Sequence, residues 1–265
     1  MNESHNDQIR TQVRQTYSKV AIAPAACGCT PSSCCGTGTQ PASISAQTLG
    51  YSQQDAESVP DGANMGLGCG NPQAIAALTL GEVVLDLGSG GGFDCFLAAR
   101  QVGSSGRVIG IDMTPEMVSK ARANAVSAGC TNVEFRLGEI ENLPVADNTA
   151  NVIISNCVIN LSPDKPRVFA EAFRVLKPGG RLAISDVVAT AELPDSIKQD
   201  MALYSGCMAG ASLVSELEAS LLAAGFAQIR ITPKEESRAF IRDWAPGSGA
   251  ENYVVSAEIA AIKPA

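Results

Sequence analysis

The sequence predicts an α/β fold with a mostly parallel sheet and helices on both faces. The run Val83–Leu87 is apolar except at Asp86, and a loop with three alternating glycines follows it. A strand that is apolar almost throughout is typical of a parallel sheet buried on both faces. From this point strand-like and helix-like segments alternate, which indicates a parallel sheet with right-handed crossovers.

The remaining elements follow from hydrophobic periodicity and from capping residues. Thr114, with Pro115 behind it, predicts a helix start, and Gly129 predicts its end. Ser162, also followed by proline, predicts the start of the next helix. The expected strands are 107–111, 133–137, 151–158, 181–188, 227–232 and 252–263, and the expected helices are 7–20, 93–103, 163–176, 195–208 and 213–224. Alternation in the last strand favours antiparallel pairing.

The loop after the first strand has the spacing D-x-G-x-G-x-G, from Asp86 through Gly88 and Gly90 to Gly92. A dinucleotide fingerprint would need its third glycine at position 93, which is Phe93. The pattern resembles the first motif of class I S-adenosylmethionine (SAM) methyltransferases. The resemblance favours SAM over a nicotinamide cofactor, and it implies a Rossmann-like sheet of seven strands whose last strand is antiparallel.

A carboxylate ends the second predicted strand. Asp112 lies about twenty residues beyond the glycine loop, where an acidic side chain can accept hydrogen bonds from ribose hydroxyls. The carboxyl ends of parallel strands meet at one edge, so the loops after the first four strands should surround the ligand. The expected cofactor-binding residues are Asp86, Gly88, Ser89, Gly90, Gly92, Asp112, Met113, Gly138, Glu139, Ile140 and Asn156.

The composition limits the kinds of partner that the protein can bind. The formal net charge of −8 argues against nucleic-acid binding, because phosphate contacts need clustered lysine and arginine. No apolar run is long enough to cross a bilayer, and the polar N-terminus lacks the pattern of a secretory signal. We therefore expect a cytoplasmic protein with neither a nucleic-acid nor a membrane partner.

Nine cysteines are the unusual feature of the composition. An odd number in a chain without a secretory signal favours free thiols over a disulfide framework. Cys95 and Cys130 are interpreted as small core residues. Cys69, Cys157 and Cys207 fall where the predicted crevice could collect them. The other four cysteines are Cys27, Cys29, Cys34 and Cys35, in a segment expected to be a mobile loop.

The residues near the crevice favour a soft methyl acceptor. The only histidine is His5, so the core offers no histidine general base. The loop after the fourth strand carries Cys157 and has no Asn/Asp-Pro-Pro-Tyr sequence, the arrangement that holds an amine acceptor. Thiolates prefer soft metals and metalloids. Trivalent arsenic on three sulfurs keeps a lone pair that could attack the SAM methyl in line with the departing sulfur.

Five segments make the chain similar to microbial arsenite SAM methyltransferases, and the three that contain cysteine are the more specific ones. The five segments are 66–72, 84–90, 155–162, 204–207 and 251–257. The resemblance implies that Cys69, Cys157 and Cys207 bind trivalent arsenic and that the product is methylated arsenic, as in arsenic detoxification. It also implies that thioredoxin or glutathione reduces a protein disulfide and so returns arsenic to the trivalent state. Cys34 and Cys35 are the candidates for the family's N-terminal cysteine and for such a relay.

The chain is expected to divide into an N-terminal helix with a cysteine-rich segment, 1–66, and a SAM-dependent domain, 67–265. A helical insertion on the acceptor side is expected at about 190–224. Two other functions remain open at this point. One is a small-molecule C-methyltransferase of the quinone or sterol type, and the other is a non-catalytic protein that sequesters metalloids on its thiols.

Overall fold

The computed structural model describes residues 3–23 and 46–265. Within them, seven strands form one sheet in the order β3-β2-β1-β4-β5-β7-β6. β7 runs antiparallel to both of its neighbours, and the pairs among β1 to β5 are parallel. The strands are β1 Val83–Leu87, β2 Arg107–Asp112, β3 Val133–Leu137, β4 Ala150–Asn156, β5 Leu176–Ala189, β6 Ala227–Lys234 and β7 Val254–Ile262. The predicted fold class is confirmed.

The described helices surround this sheet. They are α1 Glu3–Ile22, α2 Gln53–Glu57, α3 Gln73–Ala76, α4 Phe93–Val102, α5 Pro115–Ser127, α6 Lys165–Val175, α7 Asp195–Lys198, α8 Met201–Ser205, α9 Val214–Ala224 and α10 Arg238–Trp244. α2, α3 and α10 were missed by the sequence analysis, because segments this short carry little periodicity.

Alternating residues of the strands supply two separate cores. Leu85 of β1 and Ile153 of β4 lie in the core covered by α6 and α9, whereas Val84 and Val152 lie in the core covered by α4 and α5. Side chains of a strand point alternately to its two faces, so each buried strand must be apolar on both. This explains the continuous apolar run that predicted β1.

The start of α6 differs from the prediction. Its N-cap is Asp164, whose carboxylate accepts from the backbone N–H of Arg167 at 3.1 Å. Ser162 lies two residues earlier, where its hydroxyl donates to Glu141 at 2.7 Å and accepts from the N–H of Asp164 at 3.0 Å. A carboxylate caps a helix as well as a serine hydroxyl does, and Ser162 instead fixes the turn before the helix.

The predicted helix at 195–208 is two short helices, α7 and α8. Asp200 separates them, because its carboxylate accepts from the N–H groups of Ala202 and Leu203 and thereby caps α8. α9 packs against α6 and β6 as an ordinary layer of the sheet. The departure from the sheet layers is therefore the segment that contains α7 and α8, and it is shorter than the predicted insertion at 190–224.

α1 docks on the edge of the sheet that carries the strand carboxyl ends. Arg10 donates to Glu141 at 3.1 Å, Arg14 donates to Glu139 at 3.0 Å, and Tyr17 donates to the carbonyl of Ser205 at 3.1 Å. The expected domain boundary at residue 66 stays a prediction. The cysteines at 27, 29, 34 and 35 lie outside the described residues, and among the described helices none is long and apolar enough to cross a membrane.

Candidate active site

A cavity of about 770 Å³ opens at the carboxyl ends of β1, β2 and β4. β1 and β4 are neighbours in the sheet, and the chain order reverses between them. Open α/β sheets bind their ligands at such a switch point, and the volume lies in the range of small-molecule sites. The α1 helix roofs the cavity through Arg10, Thr16 and Tyr17.

The glycine loop after β1 leaves room for a ligand. Gly90 has φ +50°, and a Cβ built on it would meet no atom within 4 Å. The neighbouring hydroxyl of Ser89 is buried and has no hydrogen-bond partner within the described residues. An open backbone next to an unpaired hydroxyl is what a loop that binds a ligand should show.

Asp112 closes this loop from β2. Its Oδ2 accepts from the N–H of Gly90 at 3.0 Å, and its Oδ1 accepts from the N–H of Thr114 at 2.8 Å. One carboxylate therefore fixes both the glycine loop and the start of α5, and it lines the cavity. The hydroxyl of Thr114 makes no capping bond, so Asp112 takes over part of the capping role predicted for it.

The predicted cofactor residues line the cavity, with the exception of Gly92 and Glu139. A Cβ on Gly92, which has φ +95°, would meet the rings of Phe96 and Phe135 at 2.7 and 2.9 Å. Its role in the structure is close packing at the start of α4. The Glu139 carboxylate pairs with Arg14 of α1 instead of turning inward. The residues that do line the cavity are Asp86, Gly88, Ser89, Gly90, Asp112, Met113, Gly138, Ile140 and Asn156.

The cavity is strongly acidic. Asp86, Asp94 and Asp112 line it, and Arg10 is the only lysine or arginine among the described lining residues. Arg10 is already paired with Glu141 at 3.1 Å. Burial and the nearby charge of Asp94 raise the pKa of Asp86. Uncompensated carboxylates favour a cationic ligand and disfavour a pyrophosphate.

Asp94 lies at the centre of a buried network. Tyr51 donates to its two oxygens at 2.9 and 3.0 Å, and Gln73 donates to its backbone carbonyl at 2.9 Å. Burial raises the pKa of Asp94 to about 6, although hydrogen bonds from Tyr51, Gln73 and Asn156 act in the opposite direction. Asp94 was missed by the sequence analysis, because only packing brings Tyr51 to it.

Asn156 connects the cavity to the first cysteine. Its Oδ1 accepts from the N–H of Cys69 at 2.9 Å, and its Nδ2 donates to the carbonyl of Gly70 at 2.8 Å. A Cβ on Gly68 would meet this amide at 2.9 Å. Ser256 of β7 donates to the carbonyl of Cys69 at 2.6 Å. Asn156 therefore holds the loop that carries Cys69, in addition to lining the cavity.

The three predicted thiols converge in one apolar cluster built from α1, α8, α10 and the strand ends. Cys69 and Cys207 are each 2% exposed, and Cys157 is 8% exposed. The Cys69 and Cys157 sulfurs lie within 4.8 Å of each other, and the Cys207 Sγ donates to the carbonyl of Cys157 at 2.7 Å. These three thiols are thus brought together away from bulk water.

Two of these cysteines have an unusual backbone. Cys157 has φ +61° and Cys207 has φ +62°, a region that costs a residue with a Cβ about 1–3 kcal/mol. The Cys157 backbone is held there by its N–H, which donates to the carbonyl of Ser185 at 2.8 Å. Strain of this kind persists where the surroundings impose it and is frequent at functional sites.

The thiols of Cys157 and Cys69 are held in their protonated form. Hydrogen bonds with the thiols of Cys207 and Cys69, together with burial, raise the pKa of Cys157. Burial also raises the pKa of Cys69, although its hydrogen bond with Cys157 lowers it in part. Neutral thiols can lie together without charge repulsion until a ligand displaces their protons.

The structure adds a carboxylate to this cluster. The Sγ atoms of Cys69 and Cys157 and a carboxylate oxygen of Asp186 lie within 4.8 Å of one another. Burial raises the pKa of Asp186 to about 6, against the effect of backbone donors and of Lys165. The sequence contains a signal for this carboxylate, because Asp186 comes shortly after the apolar residues 182–184 of β5, as Asp112 comes after the apolar residues of β2.

Other lining residues had no signal in the sequence. Tyr17 of α1 and Trp244 of α10 reach the cavity only because their helices dock on the sheet edge. Cys130 lies outside the cavity and packs against the core, but it is only partly buried, unlike the core residue that was expected. Cys95 is fully buried, as expected, but its thiol also donates to Asp86 at 3.2 Å.

The chain is similar to known methyltransferases. A family model described as a methyltransferase domain matches residues 78–238. The arsenite methyltransferase of Halobacterium salinarum is 53% identical over 98% of this chain and 68% of its own length. That of Aquipseudomonas alcaligenes is 47% identical over 62% of this chain, which spans about half (49%) of that relative.

A solved structure supports the same assignment. An arsenic(III) S-adenosylmethionine methyltransferase from Chlamydomonas reinhardtii superposes with a TM-score of 0.61 and 33% identity, over 86% of this chain and 75% of its own. The residues that match the methyltransferase-domain model, 78–238, include β1 and the glycine loop that follows it. This chain belongs to the arsenite methyltransferase family of SAM-dependent methyltransferases.

Proposed function

We propose that this protein transfers a methyl group from SAM to trivalent arsenic held by the thiols of Cys69, Cys157 and Cys207. The observation that carries the proposal is the convergence of three buried thiols beside an acidic cavity at the switch point of the sheet. Three sulfurs are a ligand set suited to a soft metalloid. The membership in the arsenite methyltransferase family supports the same acceptor.

SAM, the methyl donor of this family, fits the residues of the cavity. It carries a sulfonium and an ammonium against one carboxylate, so its net positive charge suits the acidic lining. Gly90 and Ser89 would lie against it, and Asp112 would accept from its ribose hydroxyls. SAM supplies an electrophilic methyl group on its sulfonium. After methyl transfer the product has lost the sulfonium charge, so it should bind to the same acidic cavity more weakly than SAM does.

The acidic lining predicts a pH dependence of SAM binding. Asp94 has a pKa of about 6, so its carboxylate is charged at neutral pH and becomes neutral as the pH falls. We expect the Kd of SAM, measured by calorimetry, to rise as the pH decreases from about 7.5 to 5, because a favourable charge is lost. Asp94→Asn should bind SAM weakly throughout and show a flatter profile. A wild-type Kd that stays constant over this range would contradict the role of Asp94.

The thiols can accept arsenic without a dedicated base. Each cysteine sulfur that binds arsenic displaces a hydroxide or a small thiolate, and the cysteine proton leaves on that group as water or thiol. The balance requires no external proton acceptor, which agrees with a described core that lacks histidine. The apolar cluster around the thiols then excludes water, and the fixed sulfurs orient arsenic toward the donor side of the cavity.

The return of arsenic to the trivalent state needs electrons from outside the chain. We propose a thiol reductant, thioredoxin or glutathione, with Cys34 and Cys35 as the relay, on the sequence resemblance alone. Such a reductant implies the cytoplasm, where thiols are kept reduced. Cys34 and Cys35 lie outside the described residues.

One assay tests the proposed function. The protein is incubated with methyl-labelled SAM, arsenite and a thiol reductant, and the label is followed by chromatography. We expect it on arsenic. Label on an added quinone or sterol would instead favour a C-methyltransferase, and tight arsenite binding with no labelled product would favour sequestration. The family comparisons support neither alternative.

A further inference from the structure

We propose that the carboxylate of Asp186 is a fourth functional group of the arsenic site, which stabilises the positive charge that arsenic gains when it accepts the methyl group. This inference rests on the proposed function and names a residue that the thiol set does not include. It is carried by the position of the Asp186 carboxylate beside two of the thiols and by the hydrogen bonds that hold its charge there.

Asp186 reaches the cluster because it lies in β5 one residue beyond Ser185, which forms the last pair with β4. β5 lies between β4 and β7 in the sheet, and Asp186 pairs with Ala257 of β7. The loop that carries Cys157 leaves β4 on one side, and the loop that carries Cys69 is held by Ser256 of β7 on the other. The carboxylate is thus brought within 4.8 Å of both sulfurs.

Three N–H donors fix the carboxylate. Its Oδ2 accepts from the N–H of Ile159 at 2.8 Å, and its Oδ1 accepts from the N–H of Val187 at 2.7 Å and from Asn160 Nδ2 at 3.0 Å. The same Asn160 nitrogen lies 3.2 Å from the carbonyl of Cys207. One amide therefore connects the carboxylate to the loop of the third thiol.

The charge of Asp186 has no ion-pair partner among the described residues. It is 1% exposed, and no described lysine, arginine or histidine lies within 4.0 Å of it. Lys165 is the cation that influences it, but its ammonium donates to the carbonyl of Gly210 at 2.6 Å. A buried carboxylate without a cation is costly, even when N–H groups donate to both of its oxygens. Because the Asp186 charge is kept at this cost, we expect it to act on a positive charge that forms during the reaction.

Methyl transfer creates that charge. The lone pair of arsenic forms the As–C bond while the S–C bond of the sulfonium breaks, and the donor sulfur keeps the pair of that bond. Arsenic is formally oxidised from the trivalent to the pentavalent state, the methyl carbon changes partner, and no proton moves. A neutral arsenic trithiolate becomes a cation as the sulfonium becomes a neutral thioether. An anion within 4.8 Å of two of the sulfurs therefore attracts the transition state more than the ground state.

The test is Asp186→Asn, which keeps the size of the side chain, removes its charge and leaves one of its two terminal atoms able to accept a hydrogen bond. Arsenite binding is measured through the fluorescence of Trp244, the single tryptophan of the chain, and methyl transfer is measured in a single turnover with arsenic-loaded protein. We expect the Kd of arsenite to change by no more than about threefold and the single-turnover rate to fall by about 30-fold or more. Glu171→Gln, a buried carboxylate outside the cavity, should leave both values unchanged.

A second measurement separates a charge effect from a structural one. Asp186→Glu keeps the charge and should regain part of the single-turnover rate that Asp186→Asn loses, while SAM binding measured by calorimetry should match the wild type in Asp186→Asn. A wild-type single-turnover rate in Asp186→Asn, or a rate loss matched by an equal loss of arsenite affinity, overturns the inference. A folded Asp186→Glu variant as slow as Asp186→Asn overturns it as well. Failure of the wild-type protein to bind or methylate arsenic would instead count against the proposed function.

Discussion

Replacement of Cys157 by serine is expected to abolish arsenic methylation and to weaken arsenite binding by about 1000-fold, or about 4 kcal/mol. Cys157 interacts with both of the other thiols. Its loss therefore removes the sulfur that links the three-thiol set. A serine hydroxyl is a hard, weakly acidic ligand that a soft metalloid does not prefer. Binding is measured through Trp244 fluorescence, and turnover is measured with methyl-labelled SAM.

Cys130→Ser is the matched control for this substitution. Its thiol is partly exposed, lies outside the cavity and contacts only Asn132 among the hydrogen-bonding groups described for it, at 3.4 Å. It should retain wild-type binding and turnover. Cys95 is unsuitable as a control, because its thiol donates to Asp86 in the donor site. Methylation by a folded Cys157→Ser variant at the wild-type rate is incompatible with the three-thiol site.

Replacement of Asp112 by alanine is expected to raise the Kd of SAM by about 100-fold or more. Asp112 clamps the glycine loop through Gly90, and its free lone pairs are placed for the ribose hydroxyls. Hydrogen bonds to a charged group contribute about 1.5–3 kcal/mol each, so the loss of two corresponds to at least a 100-fold change. Calorimetry with SAM measures the effect directly, and arsenite binding should be retained.

Asp164→Ala provides the comparison for Asp112. Asp164 also accepts from a backbone N–H as a helix cap, but it lies outside the cavity. We expect this variant to lose about 1 kcal/mol of unfolding free energy in a urea titration and to bind SAM normally. Equal SAM affinity for wild type and a folded Asp112→Ala variant would show that the carboxylate does not hold the donor.

The donor half of the site could be predicted from the sequence because its parts are close in the chain or obey a strand rule. The spacing from Asp86 to Gly90 identifies the loop, and Asp112 follows from its place at the end of β2. Glu139 shows the limit of that rule. It follows β3 and should face the cavity, but the docking of α1 brings Arg14 to its carboxylate.

The acceptor half depended on contacts between distant residues. Asn156 was expected to touch the donor, and the structure adds its clamp on Cys69, 87 residues earlier in the chain. The division of the segment before α9 into α7 and α8 depended on a cap at Asp200 that periodicity does not reveal. Long-range pairing of this kind follows from packing rather than from local propensity.

The sequence by itself determined the sheet and the glycine loop after β1, since buried-strand patterns and motif spacing are local properties of the chain, and its resemblance to a family predicted the three thiols. Only the tertiary structure decided what surrounds them. It covers the cavity with α1, gathers the thiols away from water and sets Asp186 beside two of them without an ion-pair partner among the described residues. The physical reason is that burial and electrostatic environment arise from residues that are far apart in sequence and that meet only when the sheet is assembled.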